Sequence, residues 1–322
     1  MGYKLAGFDV VGCNEVDPKM IEVYKANHSP EYVYTEPIQA FKNRADLPRE
    51  LFRLDILDGS PPCSSFSIAG NREKDWGKNK VFREGQAKQV LETLFFDFID
   101  LAARLRPKIV IAENVKGLLL GNAKRYVREI YRGFDDAGYY CRHWLLDASK
   151  MGVPQRRERV FFVALRKDLA KPFLRQMNLF YVLPELKLEF DEPEIPFSEI
   201  EDAGDLYTKE NTIVSKYWDM VGEGQSFSVA HPKGSFFNDH RCRRNAPLKT
   251  ITASTSHGAW HYSVKRRINS KETVLGGSFP ADYDFGGVAP KYLVGMSVPP
   301  VMMANIAIEI FDQWLYRPVT CR

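Results

Sequence analysis

The sequence predicts an α/β fold built on a largely parallel sheet and followed by a second, smaller domain, and three observations carry that prediction. In the first half of its 322 residues, short β-rich runs alternate with amphipathic helical patterns, as they do in strand-helix-strand units. The clearest helical pattern repeats Leu91, Leu94, Phe95, Phe98, Leu101, Ala102 and Leu105 at three- and four-residue spacing. After Leu165 the rhythm breaks. Pro172, Pro184, Pro193 and Pro196 punctuate an acidic, irregular stretch, and glycine-rich, basic sequence follows to about Gly287.

Taken in order, the expected strands are Asp9 to Cys13, Tyr32 to Thr35, Arg53 to Leu57, Lys108 to Ala112 and Arg159 to Leu165. The helix between the third and fourth should stop at Pro107, because proline disfavours helical backbone at the residue before it. A final apolar helical pattern, Val301 to Leu315, begins just after Pro299-Pro300 and is expected to return to the first domain. The expected division is residues 1–170 with 288–322 for the first domain and 171–287 for the second.

A hydrophobic content of 44% suits one large core carrying a smaller one. No run of about 18 apolar residues appears, and Met1-Gly2-Tyr3-Lys4 lacks the basic-then-apolar form of a secretory signal. A cytoplasmic chain without a membrane partner is expected. The five cysteines are odd in number and scattered, which argues against a disulfide framework. His231, His240, Cys242, His257 and His261 match no compact zinc spacing, so no metal is expected.

A net charge of +4 is only mildly basic, but its distribution is uneven. Lys233, Arg241, Arg243, Arg244, Lys249, Lys265, Arg266 and Arg267 face a single acid, Asp239, with Phe236, Phe237, Trp260 and Tyr262 interleaved. Such a stretch suits contact with phosphates, or is simply a solvated basic face.

Three segments carry chemistry. Gly59-Ser60-Pro61-Pro62-Cys63 follows the run Asp55-Ile56-Leu57 and places a thiol on a rigid turn at a strand's carboxyl end, where open α/β sheets bind ligands. A lone cysteine is more often a small buried hydrophobe, so this segment does not decide the matter alone. Glu113-Asn114-Val115 follows the strand Lys108 to Ala112 and would put a carboxyl group on the same edge, able to exchange a proton with a ring nitrogen or merely to start a helix. In Gln155-Arg156-Arg157-Glu158-Arg159, Arg157 and Arg159 alternate and share one side of an extended chain. One guanidinium can hold a carbonyl oxygen and the other support Glu113 or a phosphate; a surface charge cluster is the ordinary alternative.

In order, spacing and wording these segments resemble the bacterial DNA cytosine-5 methyltransferase family. Pro247-Leu248-Lys249-Thr250-Ile251-Thr252, then Phe279-Pro280 with Asp282-Tyr283, then Gly295-Met296-Ser297-Val298-Pro299-Pro300 resemble its later blocks, so the likeness spans nearly the whole chain. The resemblance implies a Rossmann-like, S-adenosylmethionine-dependent methyltransferase sheet with helices on both faces, plus a target-recognition domain at 171–287. It implies that Cys63 adds to C6 of a cytosine flipped out of duplex DNA, that Glu113 engages N3 and the amino group, that Arg159 holds O2, and that Arg157 supports the site. For the cofactor, S-adenosylmethionine, it implies Glu15 on the ribose hydroxyls and Glu36 on the adenine amino group, with Leu94 and Ser297 lining the pocket. The loop from Ile68 to Lys88 corresponds to the family's mobile loop over DNA. A monomer acting on duplex DNA is implied, with a restriction endonuclease of the same site as the usual companion.

The family's opening strand and Phe-x-Gly-x-Gly-Gly loop have no counterpart before Met1, which reads as the start of the helix that should follow them. The expectation drawn from this is either a start assigned too late or a truncated chain, and the alternative function is a DNA-binding relative that has lost catalysis. Ser64 and Met296 also depart from the family's usual glutamine and asparagine. Methylation of tRNA by a relative of the same fold is a weaker reading, because the variable region differs from that branch.

Overall fold

The computed structural model describes residues 1–61, 93–121, 123–177, 182–203, 211–236, 238–254 and 257–316. The chain opens with a short helix, α1 (Gly2–Leu5), followed by strand β1 (Gly12–Asn14), helix α2 (Pro18–His28) and strand β2 (Tyr32–Tyr34). Helix α2 starts where a helix should: the Asp17 side chain accepts from the backbone N–H of Lys19, and Pro18 takes the first helical position. Then come α3 (Ile38–Phe41), β3 (Ile56–Gly59), α4 (Leu94–Leu105), β4 (Ile109–Val115), α5 (Ala123–Asp136) and β5 (Tyr139–Asp147). Helix α4 ends before Pro107, with Arg106 in the left-handed region.

Strands β6 (Gln155–Arg156) and β7 (Glu158–Arg166) complete the first half. The main sheet has the order β3-β4-β7-β5, in which β3 and β4 run parallel while β7 is antiparallel to both its neighbours. Strands β1 and β2 pair in parallel as a separate sheet. The expectation of a largely parallel sheet holds for β3, β4 and β5, which run the same way, and β7 is the exception among them. The short connection between β5 and β7 is too brief for the crossover of a dozen or more residues that a parallel neighbour needs, so the chain returns antiparallel.

Alternation along β4 and β7 sorts the core into two layers. Val110, Ala112, Val160, Phe162 and Ala164 pack against Phe95, Phe98 and Ile99 of α4 and Ile130 and Phe134 of α5. On the opposite face, Ile109, Ile111, Phe161, Val163 and Leu165 meet Met302, Met303, Ile306 and Ile310. Each fully buried valine, isoleucine, phenylalanine or methionine among them contributes about 1.5–3 kcal/mol by leaving water. The sheet is thus covered by helices on both sides. Helix α4 also supplies Leu101 and Leu105 to a cluster shared by Val11, Tyr32, Tyr34 and Leu57, which packs the β1-β2 pair beside the main sheet.

Beyond β7 the hairpin β8 (Leu174–Gln176) and β9 (Val182–Pro184) precedes Leu186 and Leu188, which join the core under the sheet. The rest of the variable region is poor in regular structure. Its strands β10 (His240–Arg241), β11 (Leu248–Lys249) and β12 (Ala259–Trp260) have two residues each, and β11 pairs with β6 of the first half. Helix α6 (Ser270–Gly276) begins with a capping box between Asn269 and Glu272. Helices α7 (Pro290–Met296) and α8 (Pro300–Ile310) follow, and α8 widens into a π turn at Phe311–Leu315. Pro290–Leu315 is long and apolar enough for a membrane span by composition. Its break at Ser297 to Pro299 and its buried residues under the sheet mark it as a core element.

Candidate active site

Glu113 and Arg159 extend the rows Ile109-Ile111 and Phe161-Val163 beyond the apolar core. In the antiparallel register Glu113 lies opposite Phe161 and Val115 opposite Arg159, so the two charged side chains are diagonal neighbours on one face. Arg159 Nε lies 2.9 Å from Glu113 Oε1, and both side chains are about 85% shielded from solvent, with 15% and 14% exposed. Burial pushes the Glu113 carboxyl above its ordinary range, against the opposing charges of Arg159 and Arg157 and the hydrogen bond from Ser60. A carboxyl group so placed takes up a proton more readily than one in water, which is what donation to a ring nitrogen requires.

Ser60 and Pro61 lead from β3 into the segment that contains Cys63. Cys63 itself, like the loop Ile68 to Lys88, lies outside the described residues. The approach to it is fixed from two sides. Gly59 sits against α4 so closely that a Cβ there would lie 2.5 Å from the Phe98 ring, which only glycine allows. Asn114 is buried; its Nδ2 donates to the Pro61 carbonyl at 3.1 Å while its Oδ1 accepts from the Val115 N–H at 2.9 Å. The residue next to Glu113 therefore ties β4 to the turn two residues before Cys63, a role that the sequence reading did not assign.

Arg157 is placed differently from Arg159. Its guanidinium is almost fully buried and forks to two carbonyls, Nη1 to Ile251 at 3.0 Å and Nη2 to Gly295 at 2.9 Å. Burial, with repulsion from Arg159, lowers its pKa to about 9. Gln155 makes a parallel clamp: Nε2 donates to the Gly276 carbonyl at 3.0 Å and Oε1 accepts from the Ile251 N–H at 2.9 Å. Together they fasten β6 and the residue before β7 to Ile251, just past β11, and to α6 and α7. Sequence reasoning missed Gln155, whose partners are 96 and 121 residues away.

The expected cofactor residues fall at two strand ends and in two helices. Glu15 follows β1; its backbone N–H donates to the Tyr34 carbonyl, and its Oε1 accepts from the Asp17 N–H at 2.8 Å. Burial raises the Glu15 carboxyl, opposed by backbone hydrogen bonds from Asp17 and Val16. Glu36, two residues past β2, is held by Arg44 Nη1 at 2.9 Å. The Asn14 side chain donates to the carbonyls of Tyr34 and Glu36 and so spans the ends of β1 and β2. Leu94 opens α4 and is buried, and the Ser297 hydroxyl donates to the Leu293 carbonyl at the end of α7. An acid after a strand's carboxyl end fits a ribose diol. Arg44 takes Glu36 Oε1, and the Glu36 side chain remains 28% exposed.

A buried carboxyl group in contact with an arginine, at the edge where a proline-fixed turn begins, has the chemistry needed to polarise a planar base. The chain matches the family described as C-5 cytosine-specific DNA methylase over residues 1–312. It belongs to that family. The type II methyltransferase M.NgoFVII of Neisseria gonorrhoeae is 26% identical over 96% of this chain and 82% of its own length. M.DdeI of Desulfomicrobium norvegicum is 25% identical over 99% of this chain and 86% of its own. Among solved structures, the S. pombe Dnmt2 methyltransferase superimposes with a TM-score of 0.63 at 13% identity, covering 98% of this chain and 95% of that one, which speaks for the fold alone. This DNA methylase is accordingly a DNA (cytosine-5-)-methyltransferase by family, with the mixed α/β fold of such enzymes.

Proposed function

We propose that this chain methylates C5 of a cytosine flipped out of duplex DNA, with Cys63 as nucleophile and Glu113 and Arg159 as the groups that hold and polarise the base. The observation that carries this reading is the buried Glu113–Arg159 pair at 2.9 Å, tied through Asn114 to the turn leading to Cys63. The Cys63 thiolate adds to C6 while the Glu113 carboxyl hydrogen bonds to N3, drawing electron density from the ring and leaving C5 enamine-like. Arg159, whose Nη1 already rests on the Glu158 carbonyl, presents the rest of its guanidinium to O2. Loss of the proton on C5 and departure of Cys63 then restore the aromatic ring.

Before that proton is lost, S-adenosylmethionine, which Glu15 and Glu36 would hold with Leu94 and Ser297 against it, would supply the electrophilic methyl group to C5, with S-adenosylhomocysteine as the leaving group. Arg157 acts as a positioning residue, since its Nη1 and Nη2 groups donate to Ile251 and Gly295. Stacked bases hide C6, so the base must leave the duplex at a cost of a few kcal/mol. The segment 171–287 reads the target sequence and grips the backbone. Companions of this class are a restriction endonuclease of the same site and no membrane, with a cytoplasmic monomer acting on one strand at a time.

The test is transfer of labelled methyl from S-adenosylmethionine to mixed-sequence duplex DNA, followed by digestion and identification of 5-methylcytosine. Transfer that disappears in Cys63→Ala supports the reading. Absence of transfer by the unaltered chain, with duplex binding retained, would support instead the reading of a DNA-binding relative without catalysis.

A further inference from the structure

Away from Glu113 and Arg159, a second set of ionisable groups converges on Asp239, the single acid of the basic stretch 233–267. Asp239 is fully buried. Its Oδ1 accepts from the Gly258 N–H and from Trp260 Nε1, each at 3.1 Å, and its Oδ2 lies 3.2 Å from His257 Nδ1. Arg267 completes the group, with Nη2 3.8 Å from Oδ1 and its guanidinium carbon 5.1 Å above the Trp260 ring. The carboxylate thus fixes a short loop and one imidazole.

A ring that gives its Nδ1 proton to a carboxylate has its orientation and tautomer set, and offers Nε2 to whatever lies on the other side. The His257 side chain is 44% exposed. Another histidine–carboxylate pair in the same region shows the contrast. His261 Nε2 lies 2.8 Å from Glu201, its Nδ1 accepts from the N–H groups of Ser263 and Val264, and its side chain has no exposed surface. That ring is used up inside the fold, whereas the His257 ring is held from within and open outside.

The position of His257 relative to the catalytic edge is also fixed. Ile251, six residues upstream, is gripped by Gln155 and Arg157, and Lys291 of α7 donates to the His257 carbonyl. Residues 252 and 253 lie against Gly295, the other anchor of Arg157. Six residues span at most about 20 Å, a distance over which one DNA strand presents roughly six phosphates. Cations lie nearby: His240, whose N–H donates to the Gly258 carbonyl at 3.1 Å, feels the charges of Lys249 and Lys291 along with that of Asp239.

We propose that His257, oriented by the buried Asp239, contacts a DNA backbone phosphate near the flipped cytosine and fixes the register of the duplex on the enzyme. The inference rests on the DNA-methyltransferase reading and adds to it a residue of the variable region. With Nδ1–H directed at Asp239, a phosphate oxygen can be met only by a proton on Nε2, so the contact is made by the imidazolium. Phosphate contacts position a protein without reading sequence, which makes His257 a positioning residue and not a base reader.

The experiment is fluorescence titration of a labelled mixed-sequence duplex with the full chain at pH 6 over a series of salt concentrations. His257→Ala is expected to weaken binding about fivefold to tenfold and to flatten the dependence of log K on log salt by roughly 0.9, the share of one phosphate. His257→Lys should restore the slope. Cofactor binding, measured by calorimetry on the same preparations, should be unchanged. Equal affinity and equal slope in His257→Ala would overturn the inference while leaving the methyltransferase reading intact. Failure of the unaltered chain to bind any duplex, with S-adenosylmethionine still bound, would overturn both.

Discussion

Arg159 meets the Glu113 carboxylate diagonally across two antiparallel strands, at 2.9 Å and largely out of solvent, and the carboxyl nevertheless stays above its ordinary range. Desolvation outweighs the arginine. Glu113→Gln keeps the shape but has no proton to exchange with N3, and methyl transfer should fall by on the order of 10²–10⁴. Duplex and cofactor affinity should stay within a few-fold. Arg159→Met removes the charge that opposes protonation of Glu113, so the carboxyl pKa rises further. Residual activity should then persist to higher pH than in the parent, as a pH–rate profile would register.

Asn114 connects that pair to Pro61, two residues before Cys63. Asn114→Ala leaves the Pro61 carbonyl without its donor and should cost about 1–3 kcal/mol of stability, read by urea unfolding. Its larger effect is expected on turnover, because the turn before Cys63 loses its tie to β4. A mutant that unfolds more easily yet methylates at the parental rate would contradict this.

For Arg157 the comparison of two substitutions is informative. Lysine keeps a buried cation but cannot fork to the carbonyls of both Ile251 and Gly295, while methionine removes the charge whose burial lowers the arginine's pKa to about 9. Arg157→Lys should therefore destabilise the chain more than Arg157→Met in denaturant titrations. Both should lose turnover as the contact between β7 and α7 loosens.

Acid sensitivity follows from two histidines. His28 and His240 are both lowered to about 4, chiefly by burial, and each has a ring nitrogen, Nδ1 and Nε2 respectively, buried without a hydrogen bond. In the unfolded chain they titrate near 6.5, so the unfolded state binds more protons below that pH. Their contribution is complete above about pH 6.5 and is lost as pH falls toward 4, at up to about 1.4 kcal/mol per pH unit for each histidine. His240→Gln should flatten the acid limb of a plot of stability against pH, measured by urea midpoints.

Much of the frame was legible in the chain itself. The runs at 108–112 and 159–165 became β4 and β7, the periodic residues from Leu94 to Leu105 became α4 while Leu91 lies outside the described residues, and Pro299-Pro300 marked the start of α8. Strand β5 was missed because Tyr139–Asp147 sets Arg142 and His143 between apolar residues without clean alternation. The direction of β7 was missed because hydrophobic patterning records which face is buried and says nothing of which way a neighbour runs.

The sequence by itself determined the chemistry available: an acid and two arginines in short motifs, a cysteine after a strand, and the family these belong to. Tertiary structure decided what each group does. Arg157 and Arg159 look equivalent at alternate positions of one strand, yet Arg159 reaches Glu113, 46 residues away, while Arg157 is consumed by carbonyls 94 and 138 residues away. Likewise Glu36 is claimed by Arg44, and His257 is held by a carboxylate 18 residues before it. Local periodicity fixes the side of a strand on which a side chain emerges. Its partner, its protonation and its exposure depend on which distant segments close over it, and those are set only when the chain packs.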